Sequence, residues 1–332
     1  MKTVKIKFAG KWEGITPEEN VVCYWLQKNG YDVQITEDAD YIICDVLGEY
    51  HYEYCQYPQV RIFECGENVV PDFNLVDYAI SRYPVKFGDR NFYLPGCTIP
   101  GHYWRALATK DRNYSEEFLK EKPYFANLIA RHDSQYNYRS IFFEKLNAYK
   151  RVESAGPLLY NMPDDVKVSW LDDSKTNFQR KCKFTICFES ISHDGFITEK
   201  ITDAFFSDTI PIYFGSPNIT EIFNKDAFIN VLDYDSFDAV VEKVKELDQD
   251  DEKYLEMLRQ PILVNPEYPQ RLEEQLHEFI CNIFEQPLEK AYRRSRVYSP
   301  KNCDDMLSRM VDSETLTMGN LLKRIIQKIL EK

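Results

Sequence analysis

Two successions of short Val- and Ile-rich runs, each interrupted by segments of helical period, constrain this chain more than any other feature. The first succession is VKIKFA (4–9), VQIT (33–36), YIICDV (41–46), RIFEC (61–65) and YAIS (78–81). Such runs suit strands covered on both faces, as in a parallel sheet with helices on either side. Between the first two, Thr16-Pro17-Glu18-Glu19 reads as a helix start, with Thr16 as N-cap, Pro17 in the first turn and Glu19 closing a capping box; Gly30 ends that helix. Residues 84–122 are polar and irregular, and mark the boundary. The pattern then restarts with YFANLIA (124–130), an amphipathic helix at 136–149, FTICFE (184–189), a helix at 198–207 capped by Thr198, IPIYFG (210–215) and AFINVL (227–232). SFDAVVEKVKEL and QRLEEQLHEFICNIF carry helical period beyond it. The expectation is an α/β chain of two doubly wound domains, 1–122 and 123–290, facing across a cleft, with a basic helical tail at 291–332. A length of 332 residues fits two domains of about 150 each.

Charge narrows the function. There are 41 Lys+Arg against 54 Asp+Glu, a formal charge of −13, so the general surface is wrong for nucleic acid, whose phosphates need an excess of cations. An anionic ligand must be met by a few local positive groups. The N-terminus MKTVKIKFAGKW lacks the apolar run of a signal peptide, and no stretch reaches the roughly 18 apolar residues of a spanning helix. Nine cysteines without a C-x-x-C pair, several inside apolar runs, read as buried free thiols. Together these readings give a cytoplasmic protein. The sequons Asn113-Tyr-Ser115 and Asn218-Ile-Thr220 then match by accident. The tail begins YRRSR and ends LLKRIIQKILEK, an amphipathic basic helix. Packing on the body is its plainer reading, and peripheral contact with the inner membrane surface the alternative.

Chemistry concentrates in CFESISHDGFITEKITDAFFSDTIPIYFGSP (187–217). Physically this is a strand, a polar loop containing Gly195, a helix N-terminus at Thr198 and a second buried strand. A helix N-terminus offers free N–H groups and partial positive charge to a phosphate. Lys200 adds a full charge in the first turn, and Glu199 can accept hydrogen bonds from ribose hydroxyls. From the residues alone, capping by Glu199 and a surface charge at Lys200 remain the plainer account.

That segment resembles the donor-binding motif of the α1,3/α1,4-fucosyltransferases, the bacterial members above all. Two further blocks fall in the family's order. Residues 61–80, with Gly66-Glu67-Asn68, Pro71, Phe73 and Asp77-Tyr78-Ala79, resemble the acceptor-domain block. Residues 138–150, with Arg139, Phe142, Leu146, Tyr149 and Lys150, resemble a second block. The resemblance covers roughly residues 60 to 285. It implies the GT-B architecture of two Rossmann-like domains, a GDP-fucose donor, an N-acetyllactosamine-type acceptor and inversion at the anomeric carbon. By block, Glu67 matches the general base, Arg139 and Lys200 the pyrophosphate ligands, and Glu199 the residue at the donor's ribose and sugar. Glu189, Ser190, Phe196 and Thr198 fall on the donor side, Glu64 and Asn68 on the acceptor side. Phe196 stands where many relatives have Tyr, and Ser190 where Asn is common. Glu64 and Cys65 also depart from close bacterial relatives, and the heptad repeats that often precede the tail are absent.

The chemistry requires these residue types. In-line displacement needs a carboxylate to take the acceptor proton on the face opposite the leaving group. Glu67 leaves strand 61–65 at the sheet's carboxyl edge, where doubly wound folds bind ligands; a turn carboxylate is its plainer reading. Fixed cations stabilise the departing diphosphate. No metal is required by this reading, and stimulation by a divalent cation is not predicted. Asp233-Tyr-Asp235 has D-x-D spacing, but Asp235 or Ser236 there reads as a helix cap. The five His show no paired ligand spacing, and His193 reads as a solvated loop residue in the donor segment. A transferase using another GDP-sugar and a catalytically silent glycan-binding protein remain the alternatives.

Overall fold

A computed structural model of the chain describes residues 2–10, 20–46, 52–95, 102–169 and 172–315. The order begins β1 (Thr3–Ala9), α1 (Val21–Lys28), β2 (Asp32–Ile35), β3 (Tyr41–Cys44), β4 (Val60–Glu64), β5 (Tyr78–Ser81) and β6 (Asn91–Tyr93). It continues with α2 (His102–Thr109), α3 (Glu116–Leu119), β7 (Tyr124–Leu128), α4 (Tyr138–Tyr149), β8 (Val152–Ser154), α5 (Ser174–Arg180) and β9 (Cys182–Phe188). Then come α6 (Glu199–Phe206), β10 (Ile210–Phe214), β11 (Ile229–Asn230), α7 (Phe237–Gln249), α8 (Asp251–Arg259), α9 (Tyr268–Phe284), α10 (Leu288–Ala291) and α11 (Tyr298–Thr315).

Two compact units result. One holds the described residues up to Ser81, Val85–Tyr93 and those from Leu276 on; the other holds Arg82–Pro84 and Leu94–Gln275. The sequence reading puts a boundary at 122 and detaches the tail at 291. In the structure 94–122 groups with the second unit, and 276–315 returns to the first. The supposedly irregular stretch 84–122 holds β6, α2 and α3.

The first unit carries a six-stranded parallel sheet, ordered β2-β1-β3-β4-β5-β6. Its β1 pairs Thr3 with Asp32 on one side and Ile6 with Tyr41 on the other. The helix α1 starts at Val21, with Asn20 as its N-cap: Oδ1 accepts from the Val22 and Cys23 amides at 3.0 and 3.2 Å. The Thr16–Glu19 capping box lies outside the described residues. Asp77, fully buried at the start of β5, accepts from the amides of Arg61, Arg293 and Arg294 and from Arg294 Nε, all at 2.7–3.0 Å. Arg61 in turn forks onto Asp304 of α11, at 2.7 and 3.2 Å. The described part of the tail therefore packs on this unit; LLKRIIQKILEK lies outside the described residues.

The second unit carries a five-stranded parallel sheet, ordered β11-β10-β9-β7-β8. Strand β9 buries both faces: Phe184, Ile186 and Phe188 join a core with Phe125, Phe142 and Phe214, while Cys187 joins Ile201, Phe205 and Tyr213 opposite. That is why the run reads as continuously apolar. Six of the eight described cysteines are buried, and all eight are free thiols. No described helix is long and apolar enough to cross a membrane.

Candidate active site

In the second unit the chain winds outward in both directions from β7: β8 lies on one side, β9 and β10 on the other. Ligands in open α/β sheets bind at the carboxyl ends of the strands flanking such a reversal. The loops after β7 and β9 deliver Arg139 and Glu189 there.

Arg139 sits in the first turn of α4 and is 6% exposed. A tight turn places it: Tyr136 and Asn137 adopt φ of 62° and 56°, the left-handed region that costs non-glycine residues energy. Asp133 holds that turn, its Oδ1 accepting from the Ser134 and Arg139 amides at 2.7 and 3.1 Å, with Ser140 on Oδ2. The guanidinium donates to the Phe188 carbonyl from Nε and Nη2, at 3.0 and 2.7 Å, and to the His132 carbonyl from Nη1 at 2.6 Å. Burial pulls its pKa down, while Glu189, Asp133 and Glu199 oppose that. Among the described residues two of its five N–H groups have no acceptor and are open to a ligand.

Glu189 follows β9 directly, in complete burial. Its carboxylate accepts from the Thr198 amide at 2.8 Å and from the Thr198 hydroxyl at 2.8–3.0 Å, and pairs with Lys200 Nζ at 3.2 Å. Gly215 makes room, since a Cβ there would lie 2.6 Å from Glu189 Cγ and 2.4 Å from the Tyr213 hydroxyl. Thr198 is the N-cap of α6 by position, but its side chain does not cap: Glu189 takes its hydroxyl hydrogen and Lys200 Nζ donates to it at 3.0 Å. The loop before it turns at Gly195, whose φ of 77° suits glycine and whose amide donates to Ser216 Oγ and Asn218 Oδ1.

Glu199 opens α6 with its side chain 45% exposed, 3.7 Å from Lys200 and 3.7 Å from Lys175. Burial pushes its carboxyl up, but Lys200 and Lys175 outweigh that and hold it well below the usual range. Burial lowers and Glu189 and Glu199 raise the Lys200 ammonium, with a net shift upward. Charges thus alternate through Glu189, Lys200, Glu199, Lys175 and Asp203.

The structure brings Arg139, Glu189, Thr198, Glu199 and Lys200 into this one network. Ser190 adjoins it, its carbonyl accepting from the Gln135 amide at 2.9 Å. Phe196 is buried, its ring stacked on Tyr83 at 6.2 Å, and His193 meets the same Tyr83 edge-on at 4.7 Å. In the first unit Glu67 lies exposed two residues beyond Cys65, to whose sulfur its amide donates at 3.4 Å, and Asn68 is half-buried. Glu64, the last residue of β4, is buried and accepts from Asn20 Nδ2 at 2.7 Å. Ser236, not Asp235, caps α7, accepting from the Ala239 amide at 3.2 Å, and Asp233 accepts from Asn230. Among the described residues no three His, Cys, Asp or Glu gather as metal ligands.

Sequence reasoning misses Lys175, Asp203 and Asp133. Lys175 lies on α5, a helix of seven residues inside a polar stretch with no apolar stripe to announce it. Asp203, one turn after Glu199, carries the only signal: a carboxylate in a buried helix face needs a cation.

Comparison with known proteins matches residues 119–300 to the C-terminal model of glycosyltransferase family 10 (fucosyltransferase), and 6–99 to the N-terminal domain of alpha-(1,3)-fucosyltransferase FucT. Alpha-(1,3)-fucosyltransferase FucT of Helicobacter pylori is 30% identical over 291 residues, covering 77% of this chain and 59% of that protein. The putative fucosyltransferase R654 of Acanthamoeba polyphaga mimivirus is 27% identical over 182 residues, covering 53% of this chain and 30% of that one. The chain thus spans less than two thirds of either relative's length. A crystal structure of alpha1,3-fucosyltransferase superposes with TM-score 0.63 at 26% identity, covering 83% of this chain and 89% of the other. One with GDP gives 0.62 at 25%, covering 83% and 91%. The fold is GT-B, as the resemblance implies.

Proposed function

This chain belongs to glycosyltransferase family 10, the fucosyltransferases, and from that premise we propose that it is an inverting α1,3-fucosyltransferase. It moves L-fucose from GDP-β-L-fucose to the 3-hydroxyl of N-acetylglucosamine in N-acetyllactosamine-type glycans. The observation that carries the proposal is that Arg139 and the Glu199–Lys200 helix N-terminus lie within electrostatic reach of each other at the carboxyl edge where the second sheet reverses.

In the proposed reaction Glu67 accepts the proton of the acceptor hydroxyl as its oxygen attacks the anomeric carbon. The bond from that carbon to the β-phosphate oxygen breaks with inversion, and GDP leaves with the electron pair. Arg139 supports this step through the two N–H groups its carbonyl partners leave over. Lys200 donates from the one ammonium hydrogen that neither Glu189 nor Thr198 takes. Both are fixed before substrate arrives, so little reorganisation accompanies the growth of charge. Glu199, ionised and half-exposed, accepts from the donor's ribose and sugar hydroxyls. Phe196, buried against Tyr83, offers an apolar wall in place of a phenol. Asn68 beside Glu67 serves the acceptor, and Glu64, buried and bonded to Asn20, braces the end of β4.

The test is incubation with GDP-fucose and N-acetyllactosamine followed by linkage analysis, with GDP-mannose as a parallel donor. An α1,3-linked fucosyl product supports the proposal; no product, or product from GDP-mannose alone, overturns it. Glu67→Gln is expected to lower kcat by roughly 10²–10⁴-fold with GDP affinity unchanged by calorimetry. Turnover at the parent rate would remove Glu67 from the base role.

A further inference from the structure

Lys175 is a cation of the donor network that the proposed mechanism leaves unused. It comes from α5, its side chain 13% exposed, with Nζ 2.6 Å from Asp203 Oδ2 and 3.7 Å from Glu199 Oε1. Its two partners stand at i and i+4 of α6, one above the other on a single helix face. They differ in surroundings: the Asp203 side chain is 9% exposed, that of Glu199 45%. Without a cation between them, two carboxylates one turn apart repel, and the half-exposed one is free to swing away. A lysine drawn into the interior is costly to desolvate. Here it is anchored on the buried carboxylate while its charge reaches the one that looks outward.

We infer that Lys175 is a positioning residue for donor binding, clamped by Asp203 so that its ammonium fixes the Glu199 carboxylate toward the nucleotide-sugar's hydroxyl groups. Asp203 orients Lys175, Lys175 orients Glu199, and Glu199 alone of the three touches the donor. Lys200 Nζ lies 3.7 Å from the same Oε1, so two ammonium groups act on one oxygen of the carboxylate. The inference rests on the donor-site reading of Glu199.

The experiment measures initial rates against GDP-fucose for the parent, Lys175→Met, Lys175→Arg, Glu199→Gln and the double variant Lys175→Met/Glu199→Gln, with thermal melts as a check on folding. Lys175→Met is expected to raise the donor KM at least tenfold while kcat stays within about threefold. Lys175→Arg should recover most of the loss. In the Glu199→Gln background Lys175→Met should add less than twofold, because a residue acting through Glu199 has nothing left to act on. Should Lys175→Met fail to fold, Asp203→Asn, which leaves the ammonium but loosens its anchor, must raise the donor KM severalfold. A donor KM unchanged in Lys175→Met, or in Asp203→Asn where that stands in for it, overturns the inference, as does full additivity in the double variant. Glu199→Gln with a parental donor KM overturns the donor-site reading itself, whereas a damaged Glu199→Gln beside a silent Lys175→Met overturns only the role of Lys175.

Discussion

At Arg139 the protein fixes a cation without neutralising it: carbonyl dipoles from His132 and Phe188 take three N–H groups and leave the full charge in place. Lysine at that position keeps the charge but not the planar fork that grips two carbonyls. Under the proposed function, Arg139→Lys should therefore cost about 3 kcal/mol of transition-state stabilisation, read as a drop of roughly 10²-fold in kcat/KM for GDP-fucose. Lys122 shows the opposite economy of charge. Buried just before β7 and donating to the carbonyls of Arg180 and Cys182 at 2.9 and 3.1 Å, it has its pKa pushed down by burial to about 8. Between pH 8 and the ordinary lysine value of about 10.4 the unfolded chain binds a proton that the folded one lacks, so this group favours folding more as pH rises through that window. Lys122→Met removes the effect. Denaturant melts of the two proteins should show the parent gaining on the variant between pH 7 and pH 10, and parallel curves would contradict the shift.

Elements whose burial is uniform were legible in the chain, and those shaped by a single partner were not. The runs at 41–46, 61–65, 184–189 and 210–215 read as strands because both faces meet apolar neighbours. Strand β6 is only Asn-Phe-Tyr at the sheet's edge, too short and polar to stand out. The run 227–232 reads as a strand, yet after β11 the chain turns at Val231–Asp233, where Asn230 Oδ1 accepts from the Leu232 amide. At the site, Glu199 and Lys200 are adjacent in sequence and announce each other, whereas Lys175 meets Asp203 across 28 residues and nothing local signals it. Thr198 was legible as a position but not as a bond, since Glu189 takes its hydroxyl hydrogen while Lys200, not a helix amide, donates to its oxygen. At α1 the cap itself joins two elements: Asn20 accepts from the helix amides while its Nδ2 donates to Glu64 of β4. Asn20→Asp keeps the cap acceptor but sets a second carboxylate against a buried one. It should lower stability at neutral pH by about 2 kcal/mol or more, where a mere cap exchange would be nearly silent; equal melting temperatures would detach Glu64 from this role.

Across the whole molecule the two sheets repeat one winding, a first strand flanked by its second on one side and by the rest on the other. The second unit is, apart from Arg82–Pro84, one continuous stretch, while the first is assembled from both ends of the described chain. Asp77 is the knot of that assembly, tying β5 to residues more than 200 positions later. Asp77→Ala takes from the Arg294 guanidinium, which is 1% exposed, its hydrogen-bonded carboxylate and leaves only Asp304 at 3.9 Å. The expected cost is about 3–5 kcal/mol, visible as an early unfolding transition; a melt superimposable on the parent's would refute it. Lys2 donating to the Phe284 carbonyl at 2.5 Å and Tyr41 against the Phe284 ring at 4.5 Å close the same circuit elsewhere. For a nascent polypeptide this arrangement inverts the usual order of events. The strands of the first unit, made before those of the second, must wait, unfinished, until the intervening stretch has been made and α9 and α11 arrive to seal them, so of these two units the one begun earlier matures later.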